Sequence, residues 1–499
     1  MRQTTETRNR SYTAIFAVVL IAGFGLRIYQ HFFTGRPLWE DEAHLALNFI
    51  DGGYLEMFMP LKNFQSAPVI FLLGVETMSN LFGFGEVALR LFPFAISVLT
   101  YPLFYYFVRD MTASRPTALV AFILFSFNAY IIQYASELKP YTVEMSAAIG
   151  LGYLTFATHR YVTAHREKLL KIFGALALFA ANTSFIVLFV IVCYRISYLQ
   201  TARRTNTVAD YEIARLFNKR LFKVWGIAFF ACIILNIIIN PYADNMRELW
   251  KAHFIPVNIF SIEFWTFMQN RLDNIFFSTV FMFADVPTSG WALTIILIMG
   301  VVYMILTRKF TWILFCVLPV FMHCFLSWAQ LYPLYDRFLL YLAPAVYAWM
   351  ALAVVFIARL LAGRIHGIIA VVWISAVCVF VLQPSAATYP LVDRNVKPCL
   401  DFINRYPANM KLFTTTPKTL YEYYLKTGYV RNKTREEVLS GLTIEQYQEQ
   451  VGKRPLGYML LHSATDIDRT AHIIAYLDSA GSIADRLEYG TYRVVLVRP

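Results

Sequence analysis

The sequence predicts a polytopic α-helical membrane protein with a small α/β domain at its C-terminal end. Three observations carry this. Of 499 residues, 58% are hydrophobic and only 15% charged, against about 25% charged in soluble domains. The apolar residues gather in blocks of about twenty, the length that spans a bilayer as helix. Lys and Arg fall in short runs between alternate blocks, the positive-inside pattern that holds such runs in the cytoplasm.

The net charge of +12 is therefore a topology signal, not a nucleic-acid patch. Arg2, Arg8 and Arg10 precede the first block, and Arg109 and Arg115 bracket a short turn. Arg160, Arg166, Lys168 and Lys171 form one cluster; Arg203, Arg204, Arg215, Lys219, Arg220 and Lys223 form another. Arg308 with Lys309, and Arg359 with Arg364, complete the set. With these inside, the predicted crossings are 12–33, 84–108, 116–134, 141–159, 171–183, 184–199, 222–240, 290–307, 310–328, 338–357 and 367–384, about 11 transmembrane helices. The first block lacks the small-residue cleavage site of a secretory leader and reads as a retained helix. Five cysteines lie within apolar blocks and Cys399 stands in the tail, with no disulfide framework or C-x-x-C motif.

Two apolar stretches do not fit as crossings. Residues 67–82 are short, and crossing there would turn Arg109 and Arg115 outward, so the stretch reads as an interfacial or re-entrant helix. In 42–51, Ala43, Ala46, Leu47 and Ile50 recur at helical spacing, which predicts a second surface helix in an acidic outer loop, 34–85. A second outer loop, 241–289, carries Trp250, Phe254, Phe260, Phe264, Trp265 and Phe267, suited to an aromatic belt. After Pro384 the composition turns polar. Strand-like runs at 411–416, 457–462 and 492–497 alternate with helical stretches at 418–426, 435–451 and 468–480, the pattern of a small α/β domain. The predicted domains are 1–384 and 385–499.

Two acidic motifs come directly after apolar blocks: Trp39-Glu40-Asp41-Glu42-Ala43-His44 and Ser136-Glu137-Leu138-Lys139-Pro140-Tyr141. The charge topology places both on the outer face. Ionisable groups at a membrane boundary are costly and mark chemistry or ion handling. A carboxylate whose pKa is raised by apolar surroundings suits deprotonation of a hydroxyl. Plainer readings stand beside this. Asp41 could be the N-cap of helix 42–51, Glu40 and Glu42 solvated flanking charges, and Glu137 the partner of Lys139. Pro140 suits a first helical turn. Arg337 could pair with Asp336, and His44 could simply pack at the interface. Three adjacent carboxylates could also hold a divalent cation.

In order and spacing over about 12–360, the chain resembles the GT-C superfamily of membrane glycosyltransferases, in its protein O-mannosyltransferase and aminoarabinose-transferase branch. The resemblance rests on Asp41-Glu42 in the first outer loop and on Gln65-Ser66-Ala67-Pro68-Val69-Ile70-Phe71-Leu72 before an interfacial helix. It continues with Leu81-Phe82-Gly83 leading to Arg90-Leu91-Phe92-Pro93, then Glu137-Leu138-Lys139-Pro140-Tyr141, then Asp336-Arg337-Phe338. It implies a GT-C fold and transfer of a sugar from a polyprenyl-phosphate donor to a hydroxyl on a glycan, glycolipid or protein. It implies Asp41 as catalytic base in a single inverting displacement, with Glu42 and Glu137 orienting the site. Arg337, Lys139 and Lys62 would receive the phosphate, and His44, Tyr141 and Tyr335 would contact substrate. No cofactor is expected, and no metal, although some members of the superfamily use one. The expected location is a bacterial cytoplasmic membrane, with site and tail outside. The chain departs from its relatives at Gln65-Ser66-Ala67-Pro68, where they carry Lys or His before two prolines.

The alternatives are a transporter or flippase of the same lipids and a non-catalytic scaffold. Carriers place ionisable groups near mid-membrane and often carry inverted repeats; here the charges sit at the rim and no repeat is visible.

Overall fold

The structure, a computed structural model, describes residues 2–498 except 161–163, 206–207, 242, 272–286, 365–366, 393–394, 416–417, 439–440, 453–456 and 464–469. The chain begins with α1 (Arg2–Phe32), α2 (Glu40–Asp51), α3 (Val69–Phe82), the single turn α4 (Glu86–Leu89) and α5 (Leu91–Thr112). Next are α6 (Arg115–Ser126), α7 (Ala129–Tyr134), α8 (Tyr141–Arg160), α9 (Ala164–Ala180), α10 (Ser184–Thr205) and α11 (Val208–Ile239). The loop 241–289 holds α12 (Ala243–Leu249) and α13 (Ile262–Arg271); Asp273 and Asp285 of that loop lie outside the described residues. Then come α14 (Pro287–Leu306), α15 (Phe310–Cys316), α16 (Leu318–Trp328), a 3₁₀ stretch at Asp336–Leu342, α17 (Ala343–Arg364) and α18 (Gly367–Thr388).

The eleven predicted segments fall on helices. Among the described residues, six of these are long and apolar enough to cross a membrane, or seven if the bent pair α15–α16 counts as one span. The pair meets at 43°, with Pro319 opening the second helix, where its missing N–H costs nothing. Segment 116–134 is divided: α6 ends at Ser126, and the Asn128 side chain accepts from the Ile131 N–H at 2.9 Å to cap α7. That break sets up the turn carrying Glu137.

The two stretches read as surface helices are α2 and α3. α3 packs against α5 and α9, burying Phe71, Leu72 and Val75 and leaving Leu81 and Phe82 exposed. α2 is covered further than a helix lying flat on a membrane would be. Ala43, Leu45, Ala46, Leu47 and Phe49 are buried, and the helix packs against α20 (Lys418–Lys426) of the tail.

The tail contains α19 (Lys397–Ile403), α20, two further short helices and a five-stranded sheet ordered β2-β1-β3-β5-β4. β1 (Lys411–Thr414) pairs in parallel with β2 (Glu436–Glu437) and β3 (Tyr458–Ser463), and β5 (Tyr492–Val497) runs antiparallel to β3 and β4. β4 (Ile483–Tyr489) is an edge strand with no buried residue, so it lacks the alternation that identifies strands. The stretch 435–451 is not one helix. It holds β2, Gly441 at φ +89° and then α21 (Ile444–Tyr447), because a left-handed glycine ends regular structure there. α22 (Ala471–Ser479) occupies most of 468–480, of which 468–469 lie outside the described residues. The compositional break at Pro384 falls inside a helix, since α18 continues to Thr388.

The bundle has two chemically distinct ends. At one, Arg359 donates to the Ser114 hydroxyl at 3.3 Å and Trp312 to the Met111 carbonyl at 3.1 Å, so the turns after α5 and α14 lie beside the basic end of α17. At the other end of α5, a helix of 22 residues, Glu42 meets Arg90 and the Leu138 N–H, which brings both acidic motifs there.

Candidate active site

α2 starts two residues earlier than a capping role for Asp41 would require. Its N-cap is Trp39, and Glu40, Asp41 and Glu42 form the first turn, where carboxylates favour the helix dipole. Successive residues on a helix point about 100° apart, so these carboxylates diverge.

Glu42 turns inward and is fully buried. It meets the Arg90 guanidinium through Nε at 2.7 Å and through a second, short bond from Nη2, and it accepts from the Leu138 N–H at 2.7 Å and the Trp39 N–H at 3.3 Å. Arg36 lies 3.9 Å away. Arg90 also donates to the Arg36 and Pro37 carbonyls at 2.6 and 2.8 Å, and Arg36 donates to the Ser136 carbonyl. Glu42 therefore joins the 34–85 loop to the Glu137 turn and has no face left for a substrate.

Asp41 turns toward the cleft. Lys139 Nζ lies 3.0 Å from one carboxylate oxygen and Arg337 Nη1 3.0 Å from the other. Gln65 bridges this group, its amide nitrogen 3.4 Å from Asp41 and its carbonyl accepting from Lys139 at 2.8 Å. Gln65 thus contributes a neutral amide to the cluster. Burial favours the neutral acid at Asp41, but Lys139 and Arg337 outweigh it and hold the carboxyl at about 2. Burial also lowers the Lys139 ammonium, against the pull of Asp41.

Arg337 is enclosed by rings. Trp39, Trp250, Tyr141, Tyr335 and Phe338 all have centroids 5.4–5.9 Å from its guanidinium carbon, a cation–π box in a site shielded from water. Tyr141 and Tyr335, predicted as substrate contacts, are walls of this box. Tyr141 meets Tyr134 and Phe338 edge-on, and Tyr335 packs on Trp250 and His253.

Beyond Arg337 lies a cavity of about 340 Å³, lined by Arg36, Trp39, Tyr130, Gln133, Tyr134, Glu137, Tyr335 and Asp336 among others. Its buried carboxylate, Glu137, accepts from the Trp39 indole at 3.0 Å. Burial first, and the neighbouring Glu42 charge second, push Glu137 up to about 7. A second cavity, about 670 Å³ and mainly apolar, opens between α9, α10 and α11 beside Leu178, Phe185, Phe229, Ile233 and Ile237. Tyr332 lines it and meets Phe338 at 5.6 Å, so the groove ends one ring from Arg337.

The structure thus brings together Asp41, Lys139, Arg337 and Glu137. His44 stands half-buried near Asp41 and Lys139, its basicity lowered by burial. Lys62 is not brought in: it is 62% exposed and pairs with Asp51 at 3.2 Å. Glu42 is a structural charge rather than a group facing substrate. Sequence reasoning missed Arg36, Tyr130 and Gln133, and gave no site role to Trp39, Gln65 and Arg90, although each stands within a quoted motif. Arg36 lies just before the acidic motif, which is the one signal that points to it. Among the described residues no group of three or more His, Cys, Asp or Glu side chains is placed to hold a metal ion.

No family model and no curated protein matches this chain. Two solved structures of ArnT from Cupriavidus metallidurans are similar over nearly the whole length. The apo form is 12% identical, covering 98% of each chain with a TM-score of 0.48. The form bound to undecaprenyl phosphate is 10% identical, covering 97% of this chain and 98% of that one with a TM-score of 0.45. Both TM-scores lie below 0.5, so the likeness assigns no role to any residue here.

Proposed function

We propose that this chain is a GT-C-type membrane glycosyltransferase, moving a sugar from a polyprenyl-phosphate donor to a hydroxyl acceptor on the outer face of a bacterial cytoplasmic membrane. The observation that carries this reading is the Lys139–Asp41–Arg337 cluster beside the Glu137 cavity. Two cations suited to a phosphate hold a carboxylate suited to a hydroxyl proton, next to an enclosed space walled by aromatic rings and polar groups. The apolar groove ending at Tyr332 offers a place for the lipid chain.

The resting ion pairs suit an enzyme waiting for an anion. A carboxyl held at about 2 is a weak base. When the donor phosphate takes Lys139 and Arg337, the charges that depress Asp41 are neutralised and the effect of burial, which raises its pKa, remains. Asp41 then accepts the acceptor's proton as that oxygen bonds to the anomeric carbon from the face opposite the phosphate. The carbon–oxygen bond to phosphate breaks, and the lipid phosphate leaves with the electron pair, inverting the centre. Arg337 gives planar, two-pronged contact to the departing phosphate. Glu137, Gln133 and the tyrosines of the cavity hold the sugar.

The test is transfer from labelled polyprenyl-phosphate sugars by the protein in vesicles. Asp41→Asn should fold normally and lose roughly 10²–10⁴-fold in rate. Retained transfer would remove Asp41 from the mechanism. Movement of the intact lipid across the vesicle without sugar transfer would favour a flippase.

A further inference from the structure

The C-terminal domain is bolted to the outer loop that builds the cleft. Its helix α20 presents three side chains to that loop. The Tyr423 hydroxyl donates to the Phe84 carbonyl at 2.8 Å. Lys426 pairs with both oxygens of Asp51 at 2.6 and 2.7 Å, at the surface. Tyr424 is buried and its hydroxyl does two things: it donates to Glu86 at 2.8 Å and accepts from the Leu38 N–H at 3.2 Å. Lys397 of the tail meets the same Glu86 oxygen at 2.8 Å. Below these contacts, residues of α2, α3, α19, α20 and the sheet share one apolar core.

The Leu38 bond matters because Trp39 is the next residue along the chain. The Trp39 indole holds Glu137 and walls the Arg337 box. On the other side of Leu38, Pro37 and Arg36 give their carbonyls to Arg90. The 36–39 segment has no regular structure of its own, so its path is set by Arg90 from within and by Tyr424 from the tail.

We infer that Tyr424 is a positioning residue of the active site, and that the C-terminal domain works as a strut fixing the Leu38–Trp39 segment against Glu137. This rests on the glycosyltransferase reading for its consequence in catalysis, but not for the physical link. The tail is then a fixed brace behind the cleft, not a separate binding module that folds over it.

The experiment is Tyr424→Phe in the full-length protein, with Lys426→Ala as the comparison. Phe keeps the ring that fills the core and removes only the hydroxyl. Hydrogen exchange at the Leu38 amide should speed up in Tyr424→Phe and stay as in wild type in Lys426→Ala. In transfer assays, Tyr424→Phe should lower kcat about ten- to a hundredfold, the scale set by small misplacements in a site, with the donor KM little changed. The limb of the pH–rate profile belonging to Glu137 should move upward, because the Trp39 bond favours its ionised form. The other groups facing Glu137 stay in place: Arg36, Glu42, Asp41 and Lys139, Tyr130 and Tyr134 from α7, and Asp336 and Arg337. An unchanged Leu38 exchange rate, or a pH profile and kcat like wild type, overturns the inference. Equal losses in Lys426→Ala also overturn it, because they would mean that any weakening of the interface has the same effect. If the wild type transfers nothing, the glycosyltransferase reading fails while the exchange measurement still decides the strut.

Discussion

Asp41 and Glu42 are neighbours on one helical turn, and the two regions they enter are opposites. Glu42 sits in a closed knot with Arg90, Arg36 and two backbone N–H groups, 0% exposed. Asp41 sits in an open cluster whose two cations each make a single contact with it, and its side chain is 21% exposed. The knot resembles the interior of a folded protein, where a charge persists only if every lone pair is met. The cluster resembles a site held ready by stand-in partners. Proximity in sequence is therefore a poor guide to shared function here; the neighbours' hydrogen-bond partners decide it.

The largest expected effect breaks the knot. Glu42→Gln leaves the Arg90 charge buried without its partner and should destabilise the fold by about 3–5 kcal/mol, read as lower thermal stability in detergent. Pairing it with Arg90→Met should recover part of that loss, since the uncompensated charge goes. A stable single mutant would mean that the knot is dispensable.

Next comes the cluster. Arg337→Lys keeps a charge but loses the planar fork and the fit within five rings, so donor binding should weaken about tenfold or more without loss of folded protein. A donor affinity equal to wild type would place the phosphate elsewhere.

A smaller effect distinguishes the carboxyls by pH. Glu137 is raised to about 7, above its unfolded range near 4.3. The native state then binds that proton more tightly, so its contribution to stability is full below the unfolded value. It is lost as the pH climbs through about 7. Glu137→Gln should flatten that decline. Asp41, depressed to about 2, contributes above its unfolded range and loses its contribution only as the pH falls through about 2. The smallest effect is Lys62→Ala, which removes an exposed ion pair and should change stability by less than about 1 kcal/mol, with transfer untouched.

The apolar blocks made the helical bundle legible, and the alternate basic runs made its two ends legible. The order of motifs along the chain pointed to Asp41, Glu137, Lys139 and Arg337. Partner choice was not legible. Lys139 is two residues from Glu137 yet pairs with Asp41, because the turn aims the two side chains apart. Arg90 stood within a quoted motif without a role, and Arg36 went unmarked, since nothing in a sequence marks a guanidinium that will be buried against backbone carbonyls. Gln65 read as a missing cation, although its amide contacts both members of the cluster. In the tail, β4 escaped notice because an exposed edge strand has no alternation to detect.

The central claim is that Asp41 occupies cations meant for a lipid phosphate. The most direct measurement is the affinity of wild type and Asp41→Asn for a sugar-free polyprenyl phosphate in detergent or vesicles. Removing the competing carboxylate charge should make Asp41→Asn bind the phosphate more tightly than wild type while transferring sugar roughly 10²–10⁴-fold more slowly. Weaker binding by Asp41→Asn, or undiminished transfer, would contradict the account.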